Sequence, residues 1–232
     1  MDYDSDGKCN ILDKDSDGDG YADGFEVSNG YDPSDSSSHP ISNALTFEIG
    51  SIQIDHNWIR VDFKESFVDP IVVAKPVSLN GGDPAVIRIR NVESKGFDIR
   101  IQEWDYLDGS HVYETVSYLV MERGNFTLDD GTQIEADRFN TNSTGSFGEF
   151  DFSQSFLDTP VLLAGVSSFN ETDSVTGRLR NISKQGFEFC MQEQELNPKK
   201  HLTETVDYIA WQSSKGSLNG YTFEVSKTAD KV

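Results

Sequence analysis

Two stretches of this sequence decide its fold. The first is Ala85-Val-Ile-Arg88-Ile-Arg90-Asn91-Val-Glu-Ser-Lys-Gly96-Phe97-Asp-Ile-Arg-Ile-Gln102-Glu103. The second is Val175-Thr-Gly-Arg178-Leu-Arg180-Asn181-Ile-Ser-Lys-Gln-Gly186-Phe187-Glu-Phe-Cys-Met-Gln192-Glu193. At an offset of 90, Arg88, Arg90-Asn91, Gly96-Phe97 and Gln102-Glu103 fall on identical residues. Working outward, Pro70 meets Pro160 and Ala74 meets Ala164. Downstream, His111 meets His201, Glu114-Thr115-Val116 meets Glu204-Thr205-Val206, and Tyr118 meets Tyr208. Positions 70–119 hold 17 identities in 50. A fixed-period self-match of this kind marks a repeated structural unit. Upstream, at an offset of 89, Asp62-Phe63 meets Asp151-Phe152 and Ser66-Phe67 meets Ser155-Phe156. The body is two copies of one domain, 44–128 and 129–232.

Each copy reads as strands. Ile59-x-Val61-x-Phe63, Ile87-x-Ile89 and Phe97-x-Ile99-x-Ile101 alternate with the period of two that a half-buried strand requires. Val112–Met121 is rich in β-branched and aromatic residues. Pro70-Ile-Val-Val-Ala74 and Pro160-Val-Leu-Leu-Ala164 are continuous apolar runs, which predict central strands. Asn80-Gly-Gly-Asp83, Lys95-Gly96, Asp108-Gly109 and Asp129-Asp-Gly131 mark turns. No stretch sustains helical periodicity. The expectation is an all-β body of two tandem antiparallel β-sandwiches.

The charge is uneven. The whole chain carries −21, yet residues 1–37 hold eleven acids against Lys8 and Lys14. Such a segment cannot fold by apolar burial alone. Its acids are spaced for an ion. Asp15, Asp17, Asp19, Asp23 and Glu26 stand at positions 1, 3, 5, 9 and 12 of a calcium loop, with Gly20 at the bend and the Tyr21 carbonyl at position 7. Asp2, Asp4, Asp6, Lys8, Asn10 and Asp13 repeat the frame just before it. Residues 1–14 leave no room for an EF-hand helix ahead of either loop. Residues 38–43 form a polar linker. Met1 abuts the first frame as a start codon placed on an excised segment would.

The same numbers exclude partners. Nucleic acid and anionic membrane surfaces both need clustered bases, which a chain with 40 acids and 19 bases lacks. No apolar run approaches the roughly 20 residues of a membrane span, and no secretory leader opens the chain. Cys9 and Cys190 cannot make a disulfide scaffold, and Cys190 reads as a free thiol. There is no Gly-x-Ser-x-Gly elbow, His-Glu-x-x-His or phosphate loop, so no enzymatic role is expected.

The head resembles thrombospondin type-3 repeats, which string aspartate loops around calcium. The body resembles the H-type lectin domain of snail agglutinins and discoidins. The likeness rests on the ordered set of Phe67-Val-Asp-Pro70 with its apolar run, Arg88, Gly96-Phe97, Trp104 and Val112-Tyr113-x-x-Val116-x-Tyr118. It covers nearly all of residues 45–123 and, more weakly, the second copy. It implies a six-stranded antiparallel sandwich that binds galactose-type sugars near a protomer interface. It also implies a trimer, or a pseudo-symmetric packing of the repeats.

Carried over residue by residue, the resemblance makes Trp104 the stacking platform, followed by Asp105, and Arg88 the fork of donors for sugar hydroxyls. It places Tyr113 near a binding tyrosine and Asp55, in Asp55-His56-Asn57-Trp58, near an acidic sugar ligand. The alternatives are core filling for Trp104 and an ion pair with Glu103 for Arg88. His111 serves either as a rim group or as a strand-end partner of Glu114. Arg178 and His201 keep their places in the second copy, but Trp104 becomes Gln194 and Tyr113 becomes Thr203. Phe63, Phe67, Tyr118 and Phe126 read as core. Asn125, Asn142, Asn170 and Asn181 open Asn-x-Ser/Thr sequons, the last within a predicted strand.

The expected function is a non-catalytic carbohydrate-binding module of a larger secreted enzyme, like those with which marine bacteria degrade polysaccharides. Its expected ligand is a galactan, with neutral agarose favoured because the acidic surface repels sulfated chains. The alternative is an adhesin or cell-surface interaction module.

Overall fold

The structure is a computed structural model. It describes residues 45–128, 130–193 and 201–227, with Tyr3, Asn10, Ser16, Asp17, Asp23, Val27, 31–36 and Ser38 ahead of them. The chain divides into two compact units, Met1–Ala44 and Leu45–Val232.

In the first unit, Asp23 and Val27 are helical, where the sequence predicts no helix. The Ser16 backbone N–H donates to Asp23 Oδ1 at 2.7 Å and its hydroxyl to Oδ2 at 2.6 Å. Of the calcium-frame residues, Asn10, Asp17 and Asp23 are described. Asp2, Asp4, Asp6, Lys8, Asp13, Asp15, Asp19, Tyr21 and Glu26 lie outside the described residues, as do Cys9 and Gln194.

The second unit is built from strands. They are β1 (Phe47–Ile54), β2 (Ile59–Asp62), β3 (Pro70–Val77), β4 (Ala85–Glu93), β5 (Gly96–Glu103), β6 (Glu114–Glu122), β7 (Gly124–Thr127) and β8 (Gln133–Thr141). They continue as β9 (Gly148–Asp151), β10 (Val161–Val166), β11 (Val175–Arg180), β12 (Gly186–Glu193), β13 (Glu204–Trp211), β14 (Ser214–Leu218) and β15 (Tyr221–Val225). The first copy forms two antiparallel sheets, β1-β6-β3 and β2-β5-β4. The second repeats them as β8-β13-β10 and β9-β12-β11. Strand β7 pairs with β8, and β14 with β15. Each pair of sheets closes on its own core, around Phe97, Ile99 and Val120 in one copy and Phe187, Phe189 and Val206 in the other.

Recurring residues explain themselves locally. Asn91 and Asn181 both take φ 49, a left-handed turn that asparagine tolerates better than other side chains. Their side-chain amides donate to Asp98 and Glu188 across the turn. Strand β11 ends at Arg180, and the sequon at Asn181 lies beyond it. A Cβ at Gly96 would collide with the Val61 carbonyl, and one at Gly186 with the Phe150 carbonyl, so both positions need glycine. Tyr118 and Tyr208 each donate a hydroxyl to a buried glutamate, Glu48 and Glu135. Burial, together with Glu48, raises Tyr118 to about 12.

Strand β3 is not the central strand that its apolar run predicts. It lies at a sheet edge, yet both its faces are covered. Val72 and Ala74 face the first core. Ile71 and Val73 enter a third core with Met121, Ile134, Ala136, Ile209 and Trp211, which joins the outer faces of the two sandwiches. The free edge of β3 is also met, since the Val72 N–H donates to Asp207 Oδ2 at 2.8 Å. Arg138 Nε lies 3.3 Å from Asp207 Oδ1.

Burial pushes Asp207 up to about 6, against the opposing pull of Arg138 and the Val72 N–H. An acid with a raised folded pKa contributes most below its unfolded value of 3.8, and that contribution is lost as pH rises through about 6. Asp207→Asn keeps an acceptor for Val72 without the charge. The stability of this variant relative to the native chain should therefore rise by about 1–3 kcal/mol between about pH 4 and pH 7. Urea melts across that range test it.

Candidate functional site

Loops between the strands carry two copies of one polar relay. Strand β5 ends at Glu103 and β6 starts at Glu114, and the loop between them returns His111 to the gap. His111 Nδ1 sits 2.9 Å from Glu103 Oε1, and Nε2 sits 3.3 Å from Glu114 Oε1. In the second copy His201 Nδ1 lies 2.9 Å from Glu193 and Nε2 lies 3.2 Å from Glu204. Glu114 also accepts from the Ser78 hydroxyl and the N–H groups of Asn80 and Gly81. Glu204 accepts from the Ser168 hydroxyl and the Asn170 N–H. Burial would raise both glutamates, but these donors outweigh it and hold them below the usual range. Burial would lower His201, yet Glu204, Glu171 and Glu193 hold it raised. Both histidines are buried, with both ring nitrogens occupied. The relays fasten the β3–β4 and β10–β11 loops to the strands.

Arg88 belongs to the junction between copies. It is 0% exposed. It donates to the Asp173 carbonyl at 2.5 Å, the Glu171 carbonyl at 3.1 Å, Glu204 Oε1 at 3.3 Å and Gln102 Oε1 at 3.4 Å. Its ion-pair partner is Glu204 of the other copy, not Glu103. Phe169 covers it at 4.6 Å, and burial lowers its pKa to about 10 although Glu204 opposes the shift. Trp58 meets Phe169 edge-on at 5.2 Å, while Arg90 and Arg100 stack on Trp58 at 4.1 and 4.7 Å. The counterpart Arg178 is exposed and makes no hydrogen bond or ion pair among the described residues.

A third group stands at the loop end of the first copy. Asp55 accepts from the Asn57 N–H at 2.8 Å and from its amide at 3.2 Å, and Tyr113 stands close enough to exert a weaker pull on the same carboxylate. The Asn57 amide also lies 3.3 Å from His56 Nε2, and His56 Nδ1 lies 3.1 Å from the His111 carbonyl. The Asn57 N–H is the main cause that holds Asp55 below the usual carboxylate range. Tyr113 is 61% exposed and Tyr106 is also open. Trp104 is half-buried and Asp105 exposed, on the loop that leaves β5. In the second copy, Thr203 replaces Tyr113, and the loop after β8 reads Asn142-Ser-Thr-Gly-Ser-Phe147, without an acid.

The structure thus brings Asp55 and Tyr113 together and sends Arg88, His111 and His201 into the scaffold. Trp58, Asn57 and Phe169 carry contacts that their spacing does not announce. An apolar side chain in the same loop of each copy, Leu79 and Phe169, is the one signal that pointed there. Cys190 is a free, buried thiol, which burial raises.

No protein-family model matches the sequence, and no solved structure matches it significantly. The chain is similar to halomucin of Haloquadratum walsbyi, with 33% identity over 185 residues. The match takes in 74% of this chain and 2% of halomucin.

If Arg88 is a junction clamp, Arg88→Ala leaves Glu204 buried without its guanidinium and two carbonyls without donors. That should cost about 3–5 kcal/mol, as breaking a buried pair does. The same change at exposed Arg178 should stay within about 0.5 kcal/mol. Denaturant melts of the two variants check both values.

Proposed function

We propose that this chain is a non-catalytic glycan-binding module whose sugar contact is the Asp55–Asn57–Tyr113 rim. One observation carries the reading. An exposed tyrosine ring stands near a carboxylate, beside an amide and an imidazole. A pyranose needs an apolar plate for its C–H face and planar polar groups for its hydroxyls, and this arrangement offers both. Asp55, held below its ordinary range, is an acceptor at neutral pH and not a proton donor. Trp104 and Asp105 lie on the loop that leaves β5, and Arg178 stays open on the second copy. A galactose-containing polysaccharide, with neutral agarose first, remains the proposed ligand, since a net charge of −21 disfavours sulfated chains. The similarity to halomucin, a mucin by name, favours a secreted or cell-surface setting and supports a second reading, a surface interaction module.

In affinity electrophoresis the native chain should be retarded by agarose and not by a neutral non-galactan gel. Tyr113→Ala and Asp55→Ala should each weaken retardation roughly 5- to 100-fold at unchanged melting temperature, the range of aromatic hot spots. Trp104→Ala should weaken it with them. Unchanged binding in all three variants would refute the rim.

We also propose that the head takes Ca²⁺ in its two frames. The residues present fit. Asp23, at position 9 of the second frame, is folded back onto Ser16 at position 2. Asn10 Oδ1, at position 9 of the first, is shielded from solvent and has no hydrogen-bond partner among the described residues. Chelation should remove a low-temperature calorimetric event and leave the sandwich transition in place. Loss of galactan binding on chelation, after deletion of the head, would place calcium in the sandwiches instead.

A further inference from the structure

Strand β15 carries a pattern met twice before. Thr222-Phe223-Glu224-Val225 repeats Thr46-Phe47-Glu48-Ile49 of β1, and Gln133-Ile134-Glu135-Ala136 of β8 has the same apolar–Glu–apolar order. The strand before it agrees. Strand β7 follows β6 and pairs with β8 so that Phe126 faces Ile134 and Asn125 faces Glu135. Strand β14 follows β13 and pairs with β15 so that Gly216 faces Phe223 and Lys215 faces Glu224. In order and in register, β15 stands where a first strand stands.

The packing puts it in the same place. Phe47, Ile134 and Phe223 occupy one position in three first strands, and all three reach the core that holds Met121, Ile209 and Trp211. What β15 lacks is the rest of its sheet. Glu48 and Glu135 are buried and accept a tyrosine hydroxyl from the central strand beside them. Glu224 is exposed and pairs with Lys215 at 2.9 Å.

The contact between the two sandwiches is head-to-tail, so each leaves one half of it unused. The first buries Val73 and Arg88 against the second. Their counterparts on the second, Leu163 at 40% exposure and Arg178, are open. The second covers Arg88 with Phe169, while its counterpart on the first, Leu79, is 89% exposed. A heterologous contact of this kind accepts a further copy at either end. An apolar groove opens between β1 of the first copy, the unused face of β10 and β15, lined by Phe47 and Ile49, Val161 and Leu163, and Tyr221 and Phe223.

We infer that β14–β15 opens a third sandwich, and that this groove is the surface on which that sandwich, a further repeat of the same sequence, packs. The third copy adds a central strand along the open edge of β15, sets a tyrosine on Glu224, covers Leu163, and offers Arg178 the buried glutamate that Glu204 offers Arg88. The similarity to about 2% of a far longer relative is consistent with further repeats.

The test extends the chain in register. Residues 137–227 are joined directly after Val225, so that Val225 is followed by Asp137 as Ala136 is. Backbone amides of 161–166 and 221–225 should then exchange with deuterium at least about 10-fold more slowly than in the 232-residue chain. Joining the same segment after Glu224 turns every following side chain to the opposite face, and should leave exchange unchanged. An appended segment that stays unfolded overturns the assignment of β15. A third sandwich that folds while 161–166 exchange at the original rate overturns the docking surface. Equal protection from both joins overturns the register.

Discussion

The sheet β1-β6-β3 is apolar on both faces, and such a sheet must be covered twice. Its inner face is met by β2-β5-β4 within the copy. Its outer face offers Ile71, Val73 and Met121, each almost wholly shielded, and the second sandwich supplies Ile134, Ala136, Ile209 and Trp211 to the core that shields them. Burying aliphatic side chains contributes on the order of 1.5–3 kcal/mol apiece. That gain makes the pairing of the copies part of the fold and not an accessory to it. Every polar group caught at the junction then has to be answered. Asp207 meets the edge N–H of β3, and the carbonyls at 171 and 173 meet Arg88.

This explains why one sequence pattern gives two environments. Arg88 and Arg178 hold the same place in the repeat, each two residues before an Arg-Asn pair, yet one is wholly enclosed and the other lies in solvent. The difference comes from the neighbouring copy. Buried, the guanidinium needs Glu204 and two carbonyls to offset desolvation. Exposed, it needs only water. The same asymmetry divides Val73 from Leu163 and Phe169 from Leu79.

The strands, their antiparallel pairing within each copy and the cores around Phe97 and Phe187 were legible in the sequence, because alternation with a period of two reports one buried face. The position of β3 was not. A continuous apolar run says that both faces are covered, and a central strand and an edge strand under a second domain give the same run. The partner of Arg88 was hidden for a related reason. Glu103 recurs with it two strand ends away, and nothing in one dimension says that Glu204 comes from the other copy. Of the rim, Asp55 and Tyr113 were reached through the resemblance, while Asn57 and His56 became visible only when the loop closed on itself.

Recurrence between the copies therefore carries a meaning opposite to the one it first suggests. His111 and His201, Glu103 and Glu193, Glu114 and Glu204, and Ser78 and Ser168 recur because each sandwich must fasten the same loops with the same buried bonds. Such groups are committed to the hydrogen bonds of the scaffold. Groups that differ are under no such demand. Tyr113 faces solvent where the second copy has threonine, and the Asp55 loop has no acidic counterpart. The buried bonds recur while the exposed groups of the loops around them differ, so the second set and not the first is where one copy can be told from the other.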